Sequence, residues 1–225
     1  MKLSLKGISE EYKTNQGNLI ALKNISLDFE EGKVYAIVGP SGSGKSTVIK
    51  IMAGILKPSK GKFLIDNLNF YSLNVDERCK YRNSNIGLIL QDYGLIESDS
   101  VWFNLQLPFM FRDSLARRMK KRNISYYAKR LHIEDLLDKR VDSLSGGERQ
   151  RVAITRSLAL EPSIILADEP TSSLDKSNRN DVVCLLLEEA KKGKICIIVT
   201  HDESVAAECD EIIRLEDGRV KQPTL

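Results

Sequence analysis

The chain lacks most of what marks a secreted, zinc-bound or membrane-spanning protein. Its 225 residues include four cysteines, Cys79, Cys184, Cys196 and Cys209, scattered and without a Cys-x-x-Cys pair. That excludes a disulfide framework and a cysteine-held zinc, and makes a reducing compartment the expectation. Cys184 and Cys196 sit within apolar runs and read as small core residues. No apolar stretch reaches the roughly 20 residues of a membrane span, and Met1 to Lys6 lacks the apolar stretch of a secretory leader. A chain soluble by itself is expected, held at a membrane only by another polypeptide. Charge of one sign is scarce too: 34 basic against 31 acidic side chains leave a formal charge of +3. Nothing here calls for a nucleic-acid partner. The densest basic run, Arg117 to Arg122, reads as a solvated helix face. Histidine occurs twice, and His132, in a polar helical stretch, reads as structural.

What is present begins with Gly39-Pro40-Ser41-Gly42-Ser43-Gly44-Lys45-Ser46-Thr47. An apolar run, Val34 to Val38, precedes it and a helix-like stretch to Ala53 follows. A strand, a glycine-rich turn and a helix start are the context that makes such a pattern a phosphate cradle. Backbone N–H groups of the loop converge on a phosphate, and the helix behind adds its unpaired N–H groups and positive dipole end. Lys45 supplies a mobile positive charge to the β- and γ-phosphates, and the Ser46 hydroxyl can ligate Mg²⁺.

Apolar periodicity organises the rest. Leu3 and Leu5 alternate with polar neighbours, and Leu22 to Phe29 alternates with one irregular step before a turn at Glu31-Gly32. Lys57 to Lys62 reads as a loop into a strand at Phe63 to Ile65, and Ile86 to Leu90 reads as a buried strand. From Asp92 to about Leu144 β-branched residues thin out, as in a helical lobe, with a polar helix over Ser114 to Leu131. Strand and helix then alternate: Ile164 to Ala167, Asp175 to Lys192, Ile195 to Val199 and Glu203 to Glu208. A hairpin ends the pattern, turning at Asp217-Gly218. Short apolar runs alternating with helices predict a mostly parallel sheet covered on both faces.

Two further segments carry chemistry. Leu166-Ala167-Asp168-Glu169-Pro170 ends a buried strand with adjacent carboxylates. Behind a phosphate-binding loop, Asp168 suits Mg²⁺ and Glu169 suits a general base on an attacking water. Leu144-Ser145-Gly146-Gly147-Glu148 places a good N-cap and two glycines at a helix start. This is a second anion-seeking helix end. One triphosphate in one cradle does not need it, so it is expected to complete the site of a partner molecule.

Together these residues resemble the ATP-binding subunits of ABC transporters along essentially the whole chain. Leu144 to Glu148 matches the LSGGE signature, Gly39 to Ser46 matches Walker A, and Ile164 to Asp168 matches Walker B. Gln91 falls at the Q-loop position, Thr200-His201-Asp202 at the switch histidine, and Tyr12 where an aromatic ring stacks on adenine. Ser172-Ser173-Leu174-Asp175 resembles a D-loop, usually Ser-Ala-Leu-Asp, with serine in place of alanine at 173. The resemblance implies an α/β fold: a P-loop NTPase core with a mostly parallel sheet, an N-terminal antiparallel β subdomain and an inserted α-helical subdomain. It implies a single ATPase domain over 1–225, with 1–91 and 145–225 as the α/β core and 92–144 as the helical subdomain.

The same resemblance implies a mechanism. ATP and Mg²⁺ would be held by residues 39–47, Gln91 and Asp168, with the metal on Ser46, Gln91 and Asp168. Glu169 and His201 would be catalytic. Ser145, Gly146, Gly147, Glu148 and Asp175 would reach ATP bound to a second copy, in a head-to-tail homodimer. The aromatic segment Val101 to Phe111, with the only tryptophan, is similar to the groove that receives a permease's coupling helix. Gln91 to Glu97 is most similar to the macrolide-exporter, lipoprotein-releasing and bacteriocin-export branch. That implies a cytoplasmic ATPase, peripheral on the inner membrane face through a separate permease. A force-transmitting regulatory module on a membrane partner is the alternative.

Overall fold

The computed structural model describes residues 1–14, 17–112 and 114–221, without the side chains of Thr14 and residues 114–117. In chain order the strands are β1 (Lys2–Thr14), β2 (Gly17–Glu30), β3 (Val34–Val38), β4 (Lys60–Ile65) and β5 (Leu68–Asn69). There follow β6 (Ile86–Ile89), β7 (Ile164–Asp168), β8 (Ile195–Val199), β9 (Glu211–Glu216) and β10 (Arg219–Lys221). The helices are α1 (Lys45–Met52), α2 (Val75–Asn85), α3 (Val101–Gln106), α4 (Ser114–Arg130), α5 (Gly146–Leu158), α6 (Lys176–Lys191) and α7 (Glu203–Ala206).

The strands form two sheets. One is antiparallel, in the order β2-β1-β4-β5; the other runs β10-β9-β3-β8-β7-β6. Within the second, β9, β3, β8, β7 and β6 are mutually parallel and β10 closes the edge as an antiparallel hairpin. Strands β3, β7 and β8 are buried along their whole length. Their side chains alternate between two cores, as the pleat demands. Ile164 and Leu166 of β7, with Ile195, Ile197 and Val199 of β8, join α1 and the antiparallel sheet through Val48, Ile51, Phe29 and Phe63. Ile165, Ala167, Cys196 and Ile198 face the other way, onto Val152 and Leu158 of α5 and Val182 and Leu186 of α6. Leu105, Phe109, Ile124 and Tyr127 extend this second core into the helical subdomain of α3 and α4.

Two readings of the sequence need correction, and one helix escaped it. Lys60 to Lys62 is already strand: Lys62 pairs with Lys6 and Lys60 with Ser9, across a shift in register. Gly61 allows this with φ +93°, where a Cβ would lie 2.5 Å from the Gly7 carbonyl oxygen. Cys184 is exposed while Cys196 is buried. In α6 the buried positions are Val182, Val183, Leu185 and Leu186, and the 3.6-residue period turns 184 outward. Helix α2 was not read at all. It starts with a capping box in which Asn74 Oδ1 accepts from the Glu77 N–H at 2.9 Å, and Glu77 Oε2 accepts from the Asn74 N–H at 2.9 Å. The pattern Asn-x-x-Glu was its visible signal.

Other expectations hold. The irregular step in Leu22 to Phe29 is a bulge where Asn24 has φ +54°. The hairpin turn has positive φ at both Asp217 and Gly218, as a two-residue hairpin requires. Arg118, Lys121 and Arg122 are exposed, whereas the Arg117 side chain lies outside the described residues. His132 is largely exposed, with Nε2 3.6 Å from Asp181 Oδ2. No helix among the described residues is long and apolar enough to cross a membrane.

Leu166 is fully buried between Leu88 and Ile197 of the adjacent strands. Leu166→Ala is expected to lower the unfolding free energy by about 2–5 kcal/mol, read by urea denaturation with an unchanged m-value.

Candidate functional site

Register brings the functional loops to one edge. Ile37 stands opposite Val199, Val199 opposite Asp168, and Ala167 opposite Ile89. The chain therefore leaves β3, β8, β7 and β6 at the same carboxyl-terminal rim, the usual place for a ligand in an open parallel sheet. Residues 39–46, 200–202, 169–170 and Gln91 are the segments that emerge there.

The glycine-rich loop closes tightly against the antiparallel sheet and the terminal hairpin. Gly44 has φ +103°, and a Cβ there would lie 2.5 Å from the Ala21 carbonyl oxygen and 2.7 Å from Leu22. A Cβ on Gly39 would lie 2.0 Å from the Leu215 carbonyl oxygen. Inside the loop, Lys45 Nζ donates to the carbonyls of Gly39 at 2.8 Å and Pro40 at 2.9 Å. Those bonds fold the ammonium back over the turn, at the mouth of α1. The loop lines a cleft of about 460 Å³ through Gly39, residues 41–46 and Thr47; the Pro40 carbonyl accepts from Lys45 and from the Ser43 N–H. Tyr12 lines it too, its hydroxyl 3.4 Å from Thr47 Oγ1. Leu19 and Ile20, both well exposed, add an apolar wall that no periodicity in the sequence had marked.

Gln91, Asp168, Glu169 and His201 complete this cleft. Glu169 holds φ +51°, a strained setting for a residue with a Cβ. Such outliers persist where the surroundings over-determine them and cluster at functional sites. Two bonds do so here. The Glu169 N–H donates to the Val199 carbonyl at 2.9 Å, and His201 Nδ1–H donates to Glu169 Oε1 at 2.8 Å. The carboxylate is nearly buried while the imidazole is mostly exposed. Asp168 Oδ1 is buried without a partner. An orphan carboxylate oxygen in one cleft with the Ser46 hydroxyl fits a hard cation such as Mg²⁺, which takes oxygen ligands and keeps several waters.

The second anion-seeking helix end lies elsewhere. Glu148 Oε2 accepts from the Ser145 N–H at 2.8 Å and from the Ser145 hydroxyl at 2.7 Å, and the Glu148 N–H donates to Ser145 Oγ at 3.3 Å. The Ser145 hydroxyl bond, then the backbone one, holds the Glu148 carboxyl below its ordinary pKa. The box therefore holds at neutral pH and weakens as pH falls through that lowered value. Ser145 to Glu148 line a separate open cleft of about 620 Å³ with Arg151, Ser173, Leu174, Asp175 and Asn178. Asp175 caps α6, its Oδ1 accepting from the Asn178 N–H at 3.0 Å, which lowers its pKa. The two clefts share no lining residue. Arg151 and the half-buried Arg156 of α5 are neighbours of these loops that the sequence had not singled out, because both sat in what looked like an ordinary polar helix.

The chain is similar to known proteins along nearly its whole length. The protein family described as ABC transporter matches residues 22–172. The uncharacterized ABC transporter ATP-binding protein MJ0796 of Methanocaldococcus jannaschii is 38% identical over 224 residues, 98% of this chain and 95% of that protein. The macrolide export ATP-binding/permease protein MacB of Rhodopseudomonas palustris is 38% identical over 216 residues. There the match covers 96% of this chain, which spans only 33% of MacB's length. A dimeric, post-hydrolysis structure of MJ0796 bound to ADP and Pi superposes with TM-score 0.91 at 37% identity, covering 98% of this chain and 97% of that one.

Gly44→Ala forces a Cβ into the Ala21 carbonyl at a positive φ. The substitution is expected to cost about 1–3 kcal/mol of stability and to remove the rise in melting temperature that ATP gives the wild type, both read by thermal denaturation with and without nucleotide.

Proposed function

The chain belongs to the ABC transporter family as one of its ATP-hydrolysing cassettes, and from that premise we propose that it powers a membrane permease on a separate polypeptide. The best-supported cargo class is that of the exporters, of peptide, antibiotic or lipoprotein type, because relatives of this identity are named macrolide exporters. Its place is then cytoplasmic, on the inner membrane face. Residues 1–225 act as one domain, with 92–144 as its helical part.

One observation carries the mechanism. The Ser145–Gly147 tip lines a cleft of its own, apart from the cleft of its own phosphate loop. A helix end and two glycines that serve no ligand of their own chain suit the γ-phosphate of ATP bound to a second copy, and MJ0796 has been seen as a dimer. ATP then neutralises and bridges two positive helix ends. Closure follows from tighter binding of ATP than of ADP across the seam, and hydrolysis reverses it.

Within each site the residues divide the work. Tyr12 offers its ring to the adenine. Lys45 turns from the Gly39 and Pro40 carbonyls to the β- and γ-phosphates, beside N–H groups of residues 39–47. Ser46 and Asp168, with Gln91 beside them, would hold Mg²⁺, which supplies charge neutralisation between those phosphates. Glu169 takes the proton of the attacking water, and His201 fixes its carboxylate through the 2.8 Å bond. Asp175 and Glu148 set the two helix caps that face the partner's ATP.

The permease contact falls on the helical subdomain. Phe109 is buried there, whereas Met110 and Phe111 are exposed, Phe111 by 79%. The segment is pinned to α2: Asn83 Nδ2 donates to the Phe111 carbonyl at 3.1 Å, and Arg112 donates to the Asn83 carbonyl at 2.7 Å. An apolar patch so held would transmit closure to a membrane partner.

Two experiments test this reading. Glu169→Gln is expected to cut ATP turnover by at least about 10²-fold, the lower end for loss of a general base, while nucleotide binding persists and an ATP-bound dimer accumulates on size exclusion. Retained turnover would remove Glu169 from its role. Phe111→Asp is expected to lose co-purification with the permease while the ATP-dependent dimer of the Glu169→Gln background still forms.

A further inference from the structure

Consecutive residues of this chain face different clefts: Ser172 lines the cleft of the phosphate loop, and Ser173 lines that of the Ser145–Gly147 tip. Ser172 Oγ donates to the Glu169 carbonyl at 3.2 Å. Ser173 Oγ stands 3.0 Å from the Tyr93 hydroxyl, a hydrogen bond between side chains 80 residues apart. Tyr93 lies two residues beyond Gln91, which lines the first cleft. Tyr93 and Gly94 both have positive φ, +61° and +57°, and this tight reversal brings the phenol to the 173 segment. Arg156 of α5 secures the reversal from behind, donating to the Tyr93 carbonyl at 2.9 Å and the Gly94 carbonyl at 2.6 Å. The phenol oxygen also borders the tip: a Cβ on Gly146 would meet it at 3.2 Å, with Ser173 Cβ at 3.7 Å.

From this geometry we propose that Tyr93 is a positioning residue, tying the setting of a subunit's own ATP site to the shape of the tip it lends to the other subunit. The inference rests on the composite sites argued above. When Gln91 shifts toward a bound triphosphate, the phenol moves with it, two residues along a loop whose turn Arg156 fixes. The hydrogen bond then carries Ser173, and with it Leu174 and Asp175, along the wall of the second cleft. Ser173 stands where the related pattern has alanine, which can neither donate nor accept. The link is therefore a property of this chain's own pair of hydroxyls. Arg156 does not make this link: its hydrogen bonds go to backbone carbonyls of the 93–94 turn.

The test uses the full chain, titrated with ATP at fixed Mg²⁺, as wild type, Tyr93→Phe, Ser173→Ala and the double variant. Wild-type hydrolysis is expected to be cooperative. Each single variant is expected to bring the Hill coefficient toward 1 and to raise KM for ATP by about three- to tenfold, the loss of one hydrogen bond, with kcat changed less than about twofold. The double variant is expected to match either single one, since both remove the same bond. A merely structural role predicts lower melting temperature and lower kcat with the Hill coefficient unchanged. That result, additive effects, or a wild-type Hill coefficient of 1 overturns the proposal. Should Tyr93→Phe fail to fold, Ser173→Ala, which removes one exposed oxygen, decides alone. Size exclusion of the Glu169→Gln background with ATP separates the two readings. Without an ATP-dependent dimer the composite site itself fails; with one, and with wild-type behaviour in the variants, only the role of Tyr93 does.

Discussion

The in-register ladder of β3, β8 and β7 is the constraint on which every part of the site depends. Ile37, Val199 and Asp168 stand side by side on it, so the phosphate loop, His201 and Glu169 leave the sheet at the same level from three neighbouring strands. All three strands are buried on both faces, and a slip by one residue would exchange the side chains of the two cores. It would also carry Glu169 about 3.3 Å along the strand, out of level with the phosphate loop whose cleft it lines. The aliphatic side chains that specify the ladder thus specify the alignment of the cleft's polar groups as well.

Around that rim the charges are set before chemistry begins. Lys45 is folded back by two loop carbonyls, Glu169 is locked in a strained backbone setting by Val199 and His201, and one oxygen of Asp168 is buried without a partner. Each costs some stability, and each gains once phosphate and its cation meet these groups. This is the sense in which a site is preorganised: its dipoles and charges are aimed where charge develops, and little has to be reorganised at the moment of reaction. Under the proposed dimer, the capped start of α5 would follow the same logic for a neighbour. Its own side chains satisfy the Ser145 hydroxyl, while the glycines leave the helix end open.

The legible parts of the molecule were those where local chemistry and tertiary role coincide. The apolar runs at Val34, Ile164 and Ile195 became central strands because nothing else can be done with five consecutive buried side chains. The phosphate loop was legible because only glycine fits beside the Ala21 carbonyl. Cys184 misled because an apolar run of helix still turns one residue in three or four outward. Lys60 to Lys62 misled because a polar, glycine-containing segment can pair at a bulge. Helix α2, with no buried residue, left no periodic signal, only its capping box.

What the sequence determined by itself was the chemistry: a triphosphate cradle, two carboxylates at a strand end, a histidine after the next buried strand and a second open helix end. Those follow from local rules of backbone freedom, charge and period. The tertiary structure decided which of these face one another. It put the Ser145–Gly147 tip in a cleft apart from the chain's own phosphate loop, brought Tyr93 to Ser173, and set Arg156 behind the 93–94 turn. Contacts between residues tens of positions apart depend on how the sheet and helical subdomain pack, and no local pattern encodes that distance.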